Sequence, residues 1–212
     1  MAADWATISS LATAGGTLVL AIATFASVRS ANRAARAAER SLLAGLRPVL
    51  MSSRMDDPPQ KVGFQDEKWF KVEGSAAVID VSDEAIYLVM SLRNVGTGMA
   101  ILHGWKLIAD PRSVPEDGNH DPSDFRRLTR DIYVPAGDVG FWQGAYREAG
   151  TPEFDEARRI VTTVSPFAIE ILYGDNEGGQ RVISRFAVYR RENGQYFSAT
   201  SRHWNLDRSD PR

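Results

Sequence analysis

"WATISSLATAGGTLVLAIATFASVRSANRAAR", residues 5–36, decides how the rest of the chain is read. Its first 24 residues, Trp5 to Val28, carry no charge. A helix of that length spans roughly 36 Å, enough to cross a bilayer core of about 30 Å with modest tilt. Trp5, Ile8, Leu11, Leu18, Val19, Leu20, Ile22, Phe25 and Val28 supply the apolar character, and six Ala fill between them. An export signal would carry its positive charge ahead of a shorter apolar run. Here Asp4 precedes the run and every nearby cation follows it. The other alternative, a buried helix of a soluble domain, would need all sides of 24 uncharged residues to be covered. The segment therefore predicts a retained transmembrane helix.

Cations beside a span favour the cytoplasmic side. That places the N-terminus outside, the body in the cytoplasm and the chain as a single-pass protein of the cell (inner) membrane. Residues 29–46, "RSANRAARAAERSLLAGL", are rich in Ala, Arg and Leu and continue the helix as a stem, with Gly45 and Pro48 as the stop signal. Arg29, Arg33, Arg36 and Arg40 recur at i, i+4, i+7 and i+11, one stripe that suits anionic lipid headgroups as well as solvent. Ser10, Ala14, Thr17, Ala21, Thr24, Val28, Ala31, Ala35, Ala38 and Leu42 fall at spacings of four and three. Small residues on such a seam permit close helix approach, so Ala14, Thr17, Ala21, Thr24, Ala31, Ala35 and Ala38 are candidates for self-association as a homo-oligomer.

Charge divides the chain. Residues 1–47 balance to +3 and residues 48–212 to −5. An acidic body argues against nucleic acid as a partner, because that affinity rests on cations facing phosphates. No cysteine is present, which removes disulfides, thiolate metal sites and a cysteine nucleophile, and fits a reducing compartment.

From Pro48 onward, Val-, Ile- and aromatic-rich runs alternate with Gly, Pro, Asn and Asp. "AIYLVMSLRNV" (85–95) sets Ile86, Leu88, Met90 and Leu92 against Tyr87, Val89, Ser91 and Arg93, the period-two pattern of a strand. "AILHGWKLIAD" (100–110) reads as the next strand, joined to it by a "GTG" hairpin connection. "PFAIEILYGD", "QRVISRFAVYRR" and "QYFSATSRHW" form a three-strand meander through "NEGG" and "ENG", which supply turn residues tolerant of positive φ. "TPEFDEARRIVTTV" (151–164) is a helix, with Thr151 as cap, Pro152 in the first turn, acids leading and arginines following. The expected architecture is mainly β: a transmembrane helix and stem over residues 1–47, then an antiparallel β-sandwich with one inserted helix over residues 48–212.

Reaction motifs are missing. The GxG of "NVGTGMA" is followed by a strand rather than the helix that a dinucleotide site requires. No GxxxxGK[ST], HExxH or GxSxG occurs. His103 reads as a hydrogen-bonded sheet residue. His120 has Asp121 and Asp124 beside it in a polar loop, and Asp175 and Glu177 sit in a hairpin turn whose glycines explain it. No cofactor or metal is implied. Two functions stay open. One is a membrane-tethered module that holds an unknown protein partner, with Trp204 and Arg202 as candidate contacts; Trp204 could instead cover an edge of the core. The other is a small-ligand sensor or enzyme using the 110–150 loops, with Asp117, His120, Asp121, Asp124, Trp142 and Tyr146.

"FQDEKWFKV", "AIYLVMSLRNVGTGMAILHGW", "DVGFWQGAYR", "LYGDNEGGQRVISRF" and "RHWNLDRSDPR" resemble a group of uncharacterised actinobacterial single-pass membrane proteins with an Arg/Ala-rich stem and a β-rich C-terminal domain. The resemblance covers roughly residues 5–212 and implies membrane attachment and a bacterial source. It carries no mechanism and no site residues.

Overall fold

A computed structural model describes residues 4–113 and 120–207. The chain divides into two compact units, Met1–Ala44 and Gly45–Arg212.

The first unit is one helix, α1 (Trp5–Gly45), 41 residues long. From Ile8 onward its apolar stretch lies open, with Leu11 and Phe25 each 68 % exposed. In water such exposure of large side chains costs free energy, whereas lipid removes the cost. The hydroxyls of Thr13, Thr17 and Thr24 donate to the carbonyls of Ser9, Thr13 and Leu20, each four residues back, at 2.8–2.9 Å. Those bonds satisfy the hydroxyls within the helix, so threonine does not disqualify it as a span. The described segment is long and apolar enough to cross a membrane.

In the second unit, strands β1 (Leu50–Ser52), β2 (Gln60–Gly63), β3 (Trp69–Val72), β4 (Ala76–Val81), β5 (Ile86–Asn94) and β6 (Ala100–Ile108) come first. A 3-10 turn (Pro122–Asp124) follows, then β7 (Arg126–Val134), β8 (Val139–Tyr146), helix α2 (Pro152–Thr162), β9 (Phe167–Gly174), β10 (Val182–Arg190) and β11 (Tyr196–Asn205). The domain is mainly β, as the strand and turn pattern requires. All ladders are antiparallel. The main sheet runs β1-β5-β4-β11-β10-β9-β6-β7, with β8 on the other side of β5. β4 pairs with the first half of β5 and β1 with its end. The sheet curls until its two ends, β7 and β8, meet. A Cβ on Gly140 of β8 would stand 2.8 Å from the Val134 side chain of β7.

One connection differs from expectation. β5 and β6 are not neighbours, so "GTG" is no hairpin but carries the chain across the sandwich. The reason is local. A Cβ on Gly98 would lie 1.7 Å from the Leu46 carbonyl oxygen, so these glycines let the loop wrap the incoming backbone. Fully buried Asn94 pins both strands of chain, accepting from Val49 N–H (3.1 Å) and Gly96 N–H (3.0 Å) and donating to the carbonyls of Gly98 (2.7 Å) and Val134 (3.0 Å).

The alternation of β5 holds. Ile86, Leu88, Met90 and Leu92 enter the main core with Ile169, Ile171 and Tyr173 of β9 and Phe186 of β10. Trp105 packs edge-on against Trp142 and Tyr146 at 5.1 and 5.2 Å between ring centres. α2 closes this core with Phe154, Ala157, Ile160 and Val161. It starts as read, because Thr151 Oγ1 accepts from Phe154 N–H and Pro152 stands in the first turn. The opposite face of β5 is also covered. Tyr87 and Val89 pack under the β2–β3 hairpin with Val62, Phe64 and Val72. A third cluster, Phe125, Leu172, Ile183 and Trp204, lies on the outer face of the meander under the turn after residue 120. Burying each of these large side chains contributes about 1.5–3 kcal/mol.

Candidate functional site

Arg126–Val134 and Val139–Tyr146 are strands joined by a short turn, not the loops that the second functional reading assumed. "RRLTRDIYV" is so charged that its two inward residues, Ile132 and Val134, are easily missed. Trp142 is fully buried and Tyr146 nearly so. Burial pushes the Tyr146 hydroxyl up to about 12, only partly countered by Arg126. Neither side chain joins His120. Asp121 caps the 3-10 turn by accepting from Ser123 N–H, and Asp124 pairs with Lys106 at 3.0 Å. Asp117 lies outside the described residues. Among the described residues no cluster of three His, Asp or Glu is placed to hold a metal.

His120 belongs to a buried ion network instead. Arg185 of β10 stands directly opposite Glu170 of β9, and both are almost fully buried. Glu170 Oε1 accepts from Arg185 Nε at 2.8 Å and Nη2 at 2.6 Å. Arg185 Nη1 donates to the carbonyls of Pro111, at 3.1 Å, and Ser113. Strand β9 and the loop at residues 111–113 are thus tied to one guanidinium of β10. His120 Nδ1 is 3.6 Å from Glu170 Oε2, and its ring lies 4.3 Å from that of Trp204. Burial holds the His120 imidazole below its ordinary range; Glu170 opposes this and Arg185 adds to it. Sequence reading missed Glu170 and Arg185. Trp204 is 8 % exposed, under its neighbours rather than on the surface, and Arg202 lies over its face at 5.6 Å. That is the core-covering alternative for Trp204.

An open strand edge is the more accessible feature. β11 pairs with β4 only at Ala76 and Ala77, because its hairpin with β10 turns over at residues 191–195. β4 runs on to Val81. Ser82 N–H donates to Ala85 O at 2.9 Å, so Ser82 faces β5. Alternation along an antiparallel ladder then aims the backbone groups of Asp80 and Val78 at β5, and those of Ile79 and Val81 away from it. Ser198 N–H donating to Ser75 O on the far side agrees with that phase. Among the described residues neither Ile79 nor Val81 has a ladder partner on the open side. Their side chains, packed on the main core, stay partly exposed. A groove of about 570 Å³ runs along this edge, lined by Met55, Val78, Ile79, Arg191 and Tyr196 among others. Within it Lys71 and Glu73 neutralise each other at 2.7 Å, whereas Arg191 lies over the Phe197 ring at 5.1 Å with no carboxylate partner among the described residues.

On α1, Arg29, Arg33, Arg36 and Arg40 are all exposed, as are Ala14, Thr17, Ala21, Thr24, Ala31, Ala35 and Ala38. The small side chains of Ser9, Ser10, Thr13, Ala14, Thr17 and Ala21 leave a shallow hollow on the helix surface.

No protein-family model matches the chain, and no curated protein is similar to it.

Proposed function

We propose that the protein is a single-pass membrane tether whose β domain holds an extended segment of a partner protein at the cytoplasmic face. In this reading α1 crosses the inner membrane with its N-terminus outside. Arg29, Arg33, Arg36 and Arg40 meet the inner headgroups, and the small-residue face of α1 packs on a second copy. The observation that carries the reading is the exposure of the described residues in an uncharged helical stretch 24 residues long, with every nearby cation on one side.

The β4 edge supports an extended segment as what the domain holds. Ile79 and Val81 offer backbone donors and acceptors to an added strand, and pockets beside them suit alternate apolar side chains. Arg191 selects an acidic residue between them, because the other charges in the groove already cancel. Extended peptides of alternating Val and Glu, or Val and Lys, test this on the full chain in lipid nanodiscs by amide hydrogen exchange. The Val/Glu peptide should slow exchange at Ile79 and Val81, and Arg191→Glu should abolish that protection. Equal protection by both peptides, or none by either, overturns the strand-addition reading.

A further inference from the structure

The pairing of β6 is interrupted after Leu102. Leu102 of β6 pairs with Ile132 of β7, yet the next paired residue, Gly104, stands opposite Arg127. β6 spends a single residue, His103, on an interval where β7 spends residues 128–131. On its other side β6 also slips by one residue against β9 at the same point. His103 is therefore the bulged residue toward β9, while toward β7 the extra residues belong to β7; it is turned out of both ladders and exposed at the surface. Gly174 of β9 makes room for it, since a Cβ there would stand 3.0 Å from His103 Nε2.

Where β7 departs, a hollow of about 700 Å³ opens, an ordinary size for a small-molecule site. Its apolar lining comes from Phe125, Leu128 and Leu172. Its polar side carries His103, Arg127, Arg181 and Asp131. Arg181 is already committed to Asp207, with Nη2 to Oδ1 at 2.8 Å. Arg127 has no ion-pair partner among the described residues. The site thus offers one available guanidinium and one imidazole beside an apolar wall, while Asp131 repels a ligand of multiple negative charge.

We infer that this hollow binds a small monoanionic carboxylate with an apolar body, its carboxylate held by Arg127 and His103 and its body against Leu128 and Phe125. The inference is independent of the strand-addition reading, since the two sites share no residue. Partial desolvation by the walls of the hollow lowers the His103 imidazole from its ordinary value, helped by Arg181 and opposed by Asp131. A bound carboxylate favours the imidazolium and therefore raises the His103 titration midpoint.

The probe is benzoate, with inorganic phosphate as comparator, added to the full chain in nanodiscs with carbon-13-labelled histidine. His103→Gln assigns the His103 resonance. Benzoate should shift that resonance saturably, with a dissociation constant in the low millimolar range or tighter, and raise its midpoint. Arg127→Gln should weaken binding about tenfold, the loss of one charge-assisted hydrogen bond. Arg130→Gln, whose guanidinium lies over the Phe141 ring at 5.5 Å, should leave binding unchanged and serves as the folding control. A linear, unsaturated response, equal weakening by both arginine variants, or displacement of benzoate by equimolar phosphate overturns the inference.

Discussion

Replacing Glu170 with glutamine removes the charge that compensates a guanidinium sealed inside the domain. Arg185 and Glu170 are 3 % and 1 % exposed, so water cannot substitute for the lost carboxylate. Two of the guanidinium's hydrogen bonds end on Glu170 Oε1, and the remaining two end on neutral carbonyls. Breaking a buried ion pair from one side costs about 3–5 kcal/mol, because the surviving charge stays uncompensated. For a domain of this size, about 2–4 °C of melting temperature per kcal/mol gives a fall of about 6–20 °C. Trp204, 5.1 Å from the guanidinium carbon, provides a nearby fluorescence signal for thermal and urea unfolding of the full chain. Replacing both residues by leucine should cost less than Glu170→Gln alone, since an apolar pair leaves no buried charge. A loss under about 1 kcal/mol for the single variant, or a double variant worse than the single, would refute the reasoning.

Gly98→Ala should destabilise the domain by about 3 kcal/mol or more, because the new Cβ would meet the Leu46 backbone at 1.7 Å; urea unfolding reads the loss, and an unchanged midpoint contradicts it. Stability should also fall on mild acidification. His120 is held below its ordinary value of about 6.5 by burial, so the unfolded chain takes up the proton first, and stability declines as pH drops from about 7 toward the lower folded value. Glu170 and Asp124 moderate this, Arg185 and Lys106 reinforce it, and His103 contributes in the same direction. His120→Gln should flatten the profile above about pH 5, and parallel profiles would count against the buried neutral imidazole.

Much of the fold was readable because local chemistry dictates it. Thr151-Pro152 fixed the start of α2, and Gly178 and Gly194 take the positive φ that "NEGG" and "ENG" allow. The turn before Val182 pairs it with Tyr173, and counting outward from there sets Glu170 opposite Arg185. That pairing was available as a signal, although two charges inside apolar strands look like solvent-facing residues until the register is counted. The loop from 95 to 99 defeated local reading, since its glycines answer to Leu46–Pro48, far away in sequence. His103 could not be placed either. Its bulge is set by the register of β6 against β9, and the space beside it by β7 leaving and rejoining β6 at residues 127 and 132, both matters of pairing between strands.

The most direct test of the tether uses the cysteine-free chain, which lets a single thiol be placed at will. Asp4→Cys precedes α1, and Glu192→Cys lies in the exposed β10–β11 turn. In intact spheroplasts a membrane-impermeant maleimide should label Asp4→Cys at once and Glu192→Cys only after permeabilisation. The opposite pattern, or both thiols reacting from one side, would contradict a helix that crosses the membrane with its arginines inside.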